Sequence, residues 1–239
     1  MVDSDPTQGR ENQAGEDGSA LGAGGYRKGQ EARLRILRAA LAEFGKDGFT
    51  RATTRAIAKS ANVNLPAIKY YFENKEGLYL ACAREIVERY EAKIGGLVRQ
   101  VQKELEGQLM PELARLRLKA VAEMLVELMV TTEDASLWTS FVMREMTEQG
   151  PAFDILYREL WAPGMEMTAA LISRVWGEPV TSEAARVRAL LFHASLTAFS
   201  TSLPVARKFL HWRDLSGPRL ALVRNMVELE IDRLGDAPV

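Results

Sequence analysis

Thr53, Thr54, Arg55, Asn64, Lys69, Tyr70, Tyr71 and Lys75 gather hydroxyls, an amide, phenols and cations into one short stretch. Amides and phenols bond base edges in a DNA groove, and Lys and Arg grip the phosphate backbone. Asn64 and Tyr70 are the candidates for bases. Thr54 and Lys75 sit near expected helix N-termini, where backbone N–H groups also favour phosphate. The chain offers little for making or breaking bonds. His193 and His211 are at no metal-ligand spacing with each other, with Cys82 or with a carboxylate pair. Gly95–Gly96 lacks the strand and lysine of a phosphate loop. No cofactor, no metal and no catalytic set is expected.

These groups must be held by local structure, and the stretch TTRAIAKSANVNLPAIKYYFENK supplies it. Ile57, Ala58 and Ala61 make a small apolar stripe on one short helix. Asn62, Val63 and Asn64 interrupt it, and Asn accepts left-handed backbone angles well. A second helix opens at Asn64 or Leu65, with Pro66 in its first turn, where a missing N–H costs nothing. Ile68 and Phe72 point inward; Lys69 and Tyr70 point elsewhere, with Tyr71 beside them. Two short helices with a polar outer face on the second form a helix-turn-helix suited to the major groove.

Residues 31–80 resemble the DNA-binding domain of the TetR family of transcription regulators. Phe44–Gly48, Thr53, Ile57–Ala58, Ala61–Val63, Ile68, Tyr71–Phe72, Asn74–Glu76 and Leu78 carry the resemblance. Three positions depart from it: Asn62 stands for a turn glycine, Pro66 for a glycine, and Lys69 for a tyrosine expected to touch phosphate. The run FVMREMTEQGPAFDILYRELWAP, Phe141 to Pro163, is similar to the C-terminal domain of the CecR-like branch. That likeness implies a regulator tied to drug or xenobiotic efflux. It also favours a homodimer as the binding form.

Composition agrees with a DNA-binding module on a larger body. The net charge of −1 hides an asymmetry: residues 27–75 carry eleven Lys and Arg against four Asp and Glu, a balance of +7. A basic module on an acidic body is the electrostatic footprint of nucleic-acid binding; a merely solvated basic face is the alternative. Hydrophobic content of 47% suffices for a core. No apolar run approaches the ~20 residues of a membrane helix, so no membrane partner is expected. One cysteine, Cys82, fits a reducing cytoplasm, and its helical spacing from Leu78 and Ile86 reads as a core thiol.

Three segments are expected: a disordered tail at 1–28, a helix-turn-helix domain at 29–75, and an effector-binding and dimerisation domain at 76–239. The tail ends in Arg27 and Lys28, either plain flexible chain or a basic arm reaching phosphate or minor groove. Helix one runs from about 30 to 46 on the stripe Leu34, Leu37, Leu41 and Phe44, stopped by Gly45 and Gly48. A long helix opens near Asn74 and continues through Leu105, loosened at Gly95–Gly96. Further helices follow Pro111, span 133–149, run from Pro151 to about Trp176 with a kink at Pro163–Gly164, span 182–203 with Thr181 as cap and Pro204 past the end, and run from Ser216–Pro218 to Leu234. The fold is expected to be all-α.

Aromatic and methionine side chains are plentiful in the body, and most belong to its core. Trp138, Phe141, Arg144, Glu145, Tyr157, Trp161 and His193 are the candidates to line a pocket for a small hydrophobic effector. The alternatives are ion pairing of Arg144 and Glu145 with each other or with helix neighbours, and a satisfied core or interface role for His193. The last two helices carry Leu190, Ala194, Thr197, Ser200 and Thr201 on one, and Leu220, Val223, Val227 and Leu234 on the other. Paired with a symmetry mate these would form a four-helix bundle; the alternative is burial within one chain. The reading is a ligand-responsive repressor binding a palindromic double-stranded DNA operator as a homodimer. The rivals are an all-α enzyme and a constitutive DNA-binding protein without effector.

Overall fold

The computed structural model describes residues 17–130 and 135–235. Eleven helices are found there, and no strand. Helix α1 (Asp17–Arg51) leads to α2 (Thr54–Ser60), α3 (Leu65–Phe72) and the long α4 (Lys75–Leu105). The body adds α5 (Pro111–Val130), α6 (Ala135–Glu148), α7 (Phe153–Leu156), α8 (Ala162–Val175), α9 (Glu183–Thr201), α10 (Leu203–Leu210) and α11 (Gly217–Asp232).

Two cores result. Leu37, Phe44, Ile57, Ile68, Phe72, Leu78 and Cys82 build the first. Val101, Leu118, Leu171, Ile172 and Ile231 belong to the second. Helix α4 serves both, and it runs unbroken through Gly95 and Gly96 rather than loosening there. The first core extends through Ile86 and takes in Trp138, Phe141, Ala152 and Leu156 from later in the chain. The hydrophobic packing therefore does not divide at residue 75, where the module was expected to end.

Several expectations need correction. Helix α1 starts at Asp17, not near 30, so residues 17–28 are helical where disorder was expected; residues 1–16 lie outside the described residues. Gly45 does not stop α1. It lets α6 approach, since a Cβ there would stand 3.0 Å from Ser140 Cβ. The helix breaks at Gly48, whose φ of 74° leaves the helical region. Leu34 is exposed, and Ile36 and Ala40 fill the buried face instead.

The cap of α9 is Ser182, whose hydroxyl accepts from the Ala185 N–H at 3.3 Å, not Thr181. Pro204 does not follow the end of the helical region; it sits in the first turn of α10, which the sequence reading missed. The irregularity near Pro163 takes the form of a π-helical turn over Tyr157–Trp161. Pro163 has no N–H for the Glu159 carbonyl, so the hydrogen-bond ladder shifts just before it.

Val223 and Leu234, expected to face a second copy, are buried inside the chain. The exposed stripe of α11 is Leu222, Met226 and Leu229; Val187, Leu190 and Leu191 of α9 and Val205 and Phe209 of α10 are exposed as well. The periodicity of α11 was read correctly as apolar, but it has two apolar faces, and sequence alone does not say which one the monomer uses.

The turn between α2 and α3 rests on Asn62, at φ 53°. A β-branched side chain there meets the left-handed penalty of about 1–2 kcal/mol per residue. Asn62→Val should lower unfolding stability by that amount and Asn62→Gly should leave it nearly unchanged, as measured by urea denaturation. Equal stability for the two variants would contradict the turn geometry.

Candidate nucleic-acid interface

Each polar residue around α3 has a defined structural position. Thr53 caps α2, its hydroxyl accepting from the Ala56 N–H at 3.1 Å. Asn64 caps α3 in the same way, Oδ1 accepting from the Ala67 N–H at 3.1 Å. That leaves the Asn64 amide NH2 as its outward donor. Pro66 occupies the first turn of α3, as its locked φ suits. Ile68 and Phe72 are buried and anchor the helix to α1 and α4, while Lys69 faces out and Tyr70 is 82% exposed. Tyr71 is half-buried, its ring meeting Tyr70 edge-on at 4.9 Å. Thr54 is half-buried and Arg55 exposed at the start of α2.

The chain leaves α3 through Glu73 at φ 66° and a tight bond from the Asn74 N–H to the Phe72 carbonyl, 2.7 Å. Asn74 then caps α4, accepting from the Gly77 N–H at 2.8 Å. Lys75 is less open than the sequence suggested. Its ammonium donates to the Thr50 carbonyl at 3.1 Å and lies over the Phe49 ring at 4.9 Å. It thus fastens α4 to the end of α1. Neither Phe49 nor Thr50 was singled out in the sequence, because a backbone carbonyl carries no residue-type signal.

The residues proposed to line an effector pocket fall in three separate places. Trp138, Phe141, Arg144 and Glu145 lie on α6 where it packs on α1 and α4. Phe141 is fully buried against Tyr79, with ring centroids 4.7 Å apart. Arg89 lies over the Trp138 ring at 5.1 Å. Arg144 donates to the Gly45 and Lys46 carbonyls at 3.3 and 2.9 Å and pairs with Glu148. It satisfies carbonyls that α1 leaves open before Gly48. Glu145 is buried and accepts from the Tyr79 hydroxyl at 2.5 Å. Its second oxygen, Oε2, has no partner. Tyr157 and Trp161 flank Phe153, at ring distances of 6.1 and 5.6 Å.

Of these candidates, His193 borders a cavity among the described residues. That cavity, about 40 Å³, lies between α4, α5, α8 and α9 and is walled by Leu97, Val121, Met124, Leu125 and Met167. His193 Nε2 is 3.0 Å from Thr168 Oγ1, and the Thr168 hydroxyl donates to the Gly164 carbonyl at 2.9 Å. With its one proton spent there, Thr168 accepts from Nε2–H, which leaves Nδ1 as an acceptor. Burial pulls His193 below the ordinary imidazole value, partly offset by a bond to the Gly164 backbone, so the ring is neutral near pH 7. A wider groove of about 700 Å³, between α9 and the end of α11 near Trp176, is open to solvent. No group of His, Cys, Asp and Glu suited to a metal ion occurs among the described residues.

Burial raises Glu145 above the ordinary carboxylate range; the Tyr79 bond and the Ala152 and Phe153 backbones oppose this, and Glu148 adds to it. The folded protein therefore holds this proton more tightly than the unfolded chain. Its contribution to stability is complete below the ordinary carboxylate range and is lost as pH rises through the raised value. Glu145→Gln keeps an acceptor for Tyr79 and removes the titration. Urea unfolding against pH should show a shallower loss of stability above the ordinary carboxylate range in this variant; parallel curves would contradict the assignment.

Comparison with known proteins agrees with this architecture. Residues 36–82 match the family model of bacterial regulatory proteins of the tetR family. Residues 114–237 match the C-terminal domain model of the HTH-type transcriptional dual regulator CecR. CecR of Shigella flexneri is 36% identical over 142 residues, spanning 57% of this chain and 60% of that protein. Fold similarity covers more of the chain. FadR of Bacillus subtilis, solved in complex with stearoyl-CoA, superposes with a TM-score of 0.55 at 15% identity, over 84% of this chain and 98% of that one. AibR, solved with isovaleryl coenzyme A and operator DNA, gives 0.55 at 16% identity, over 83% and 97%. The matched families are transcriptional regulators, not enzymes. The CecR-type match alone spans more than half of the sequence, and the chain belongs to the TetR family of regulators, with a helix-turn-helix head and a CecR-type C-terminal domain.

Proposed function

We propose that this protein is a ligand-responsive repressor that binds a palindromic DNA operator as a homodimer and is released by a small apolar effector. The observation that carries the reading is α3. Ile68 and Phe72 seat it on a rigid core, while Lys69 and Tyr70 and the free side of Asn64 face solvent on the basic part of the chain. A helix of this kind enters the major groove, with Asn64 and Tyr70 at base edges. Thr53, Thr54, Arg55, Lys69 and Tyr71 surround it as backbone and flanking contacts. Lys75 acts there mainly by holding α4 against Thr50, with phosphate contact confined to the outer side of its ammonium.

Dimerisation is supported by the exposed apolar side chains of α9, α10 and α11, which include Leu190, Leu222 and Met226. Stripes of this size on neighbouring helices suit a symmetric helix bundle. The effector site is the cavity at His193. Its walls are almost wholly apolar, with His193 among the residues that line it. A volume near 40 Å³ is well below the ~300–1,000 Å³ of ordinary ligand sites, so an effector must part α4 from α5 and α8 to enter. Any such movement shifts the helix that carries the head. FadR and AibR, with their acyl coenzyme A ligands, lend support to an acyl-type apolar effector.

Selection from a random duplex library, followed by mass measurement of the complex, tests the reading. The expected outcome is two inverted half-sites bound by two protomers. Tyr70→Ala should weaken the selected duplex roughly 10- to 100-fold, the range of one lost base contact, and leave the melting temperature unchanged. A single unrepeated site bound by one protomer would overturn the dimer. Apolar compounds that raise the melting temperature yet leave DNA affinity intact would favour the constitutive alternative.

A further inference from the structure

Helix α1 connects the body to the recognition helix end to end. At its C-terminal end Gly45 packs against Ser140 of α6, and Arg144 binds the Gly45 and Lys46 carbonyls. Three turns in from its N-terminal end, Gly29 lies against the Tyr71 hydroxyl, where an added Cβ would be 3.4 Å from it, and the Arg33 guanidinium lies over the Phe72 ring at 5.6 Å. Gly29 and Arg33 are four residues apart and so share one face, the face that meets α3. The sixteen residues from Gly29 to Gly45 span about 24 Å of helix. Moving N-terminally from Gly29 therefore leads away from the body and past the recognition helix. Arg27 and Lys28 are the next two residues, both helical and both exposed. They precede the segment matched to the tetR family model, which begins at residue 36.

We propose that Arg27 and Lys28 form a phosphate clamp on the DNA strand that borders the groove entered by α3. This rests on the reading of the protein as a DNA-binding regulator. An α-helix with its side chains, about 10–12 Å across, fills a major groove about 12 Å wide. An element lying against the flank of that helix, and projecting beyond it, therefore stands over the sugar–phosphate rail rather than over bases. The groups presented there are two adjacent cations on long stems, suited to point-charge contact with phosphate. Between Arg27 and Arg38 the helix carries five basic side chains against one acidic, Glu31, which keeps the local potential positive along the approach. Arg33, held over Phe72, sets the height of this end of α1 relative to α3.

The test compares the full-length protein with Arg27→Gln/Lys28→Gln and with Lys93→Gln/Lys103→Gln. The second pair removes the same charge from exposed sites on the body half of α4. The probe is the duplex selected by the wild-type protein, titrated across a series of sodium chloride concentrations. Each lost phosphate contact lowers the slope of log affinity against log salt by roughly 0.9, so two heads losing two contacts each should lower it by about 3.6. Base preference in a fresh selection should be unchanged, and the body variant should keep nearly the wild-type slope. Circular dichroism melting of both variants checks that the fold survives. If the wild type binds and the head variant keeps its slope, or if both variants lose slope equally, the clamp is refuted while the proposed function stands. A changed preference at one base pair with an unchanged slope places the pair in the minor groove and also refutes it. A wild type that selects no duplex refutes the proposed function itself.

Discussion

Tyr79 joins the two halves of this molecule. Its ring meets Phe44 and Phe49 from the head at 4.7 and 5.0 Å, and Phe141 from the body at 4.7 Å. Its hydroxyl ends on the buried Glu145 carboxylate. Edge-on aromatic packing gives the contact a preferred geometry, and a buried hydrogen bond penalises departures from it, because either group left unpaired incurs its desolvation cost. Helix α6 adds Arg144, which holds the open carbonyls of α1. The head is thus bonded to the body through α1, as well as continuous with it through α4.

Two connections between the same two bodies have a mechanical meaning. Motion of α4 alone would strain the α1–α6 contact, so head and body move together or the Tyr79–Glu145 bond breaks. At that junction Glu145 Oε2 is a buried polar atom without a hydrogen-bond partner of good geometry.

The sequence was most informative where local rules act. Pro66 and the inward pair Ile68 and Phe72 gave α3 its position and its facing, and Asn62 and Asn64 gave the turn and the cap. The TetR-like head and CecR-like body were likewise legible from their motifs. Residue type said much less about long-range partners. Glu145 was seen as a polar group in apolar company, but Tyr79, 66 residues away, could not be assigned to it from spacing. For Arg144 the alternative of pairing with a helix neighbour is met by Glu148, whereas its bonds to the Gly45 and Lys46 carbonyls carry no residue-type signal. The α11 stripe failed for a related reason: Val223 and Leu229 lie on different faces, both apolar, and only packing against α5 decides which is inside. Of the pocket candidates, His193 alone meets the cavity, since helix crossing angles rather than composition determine where a void forms.

The small void at His193 also has a volumetric signature. A cavity of about 40 Å³ per molecule corresponds to roughly 24 mL/mol, at the lower end of the volume changes that accompany unfolding. Hydrostatic pressure acts on such a void directly, favouring whichever state eliminates it. A molecule that fills the space with its own atoms removes that compressible volume. Filling of this space is therefore coupled to compressibility, and the partial molar volume of the protein becomes a reporter of how its body is packed.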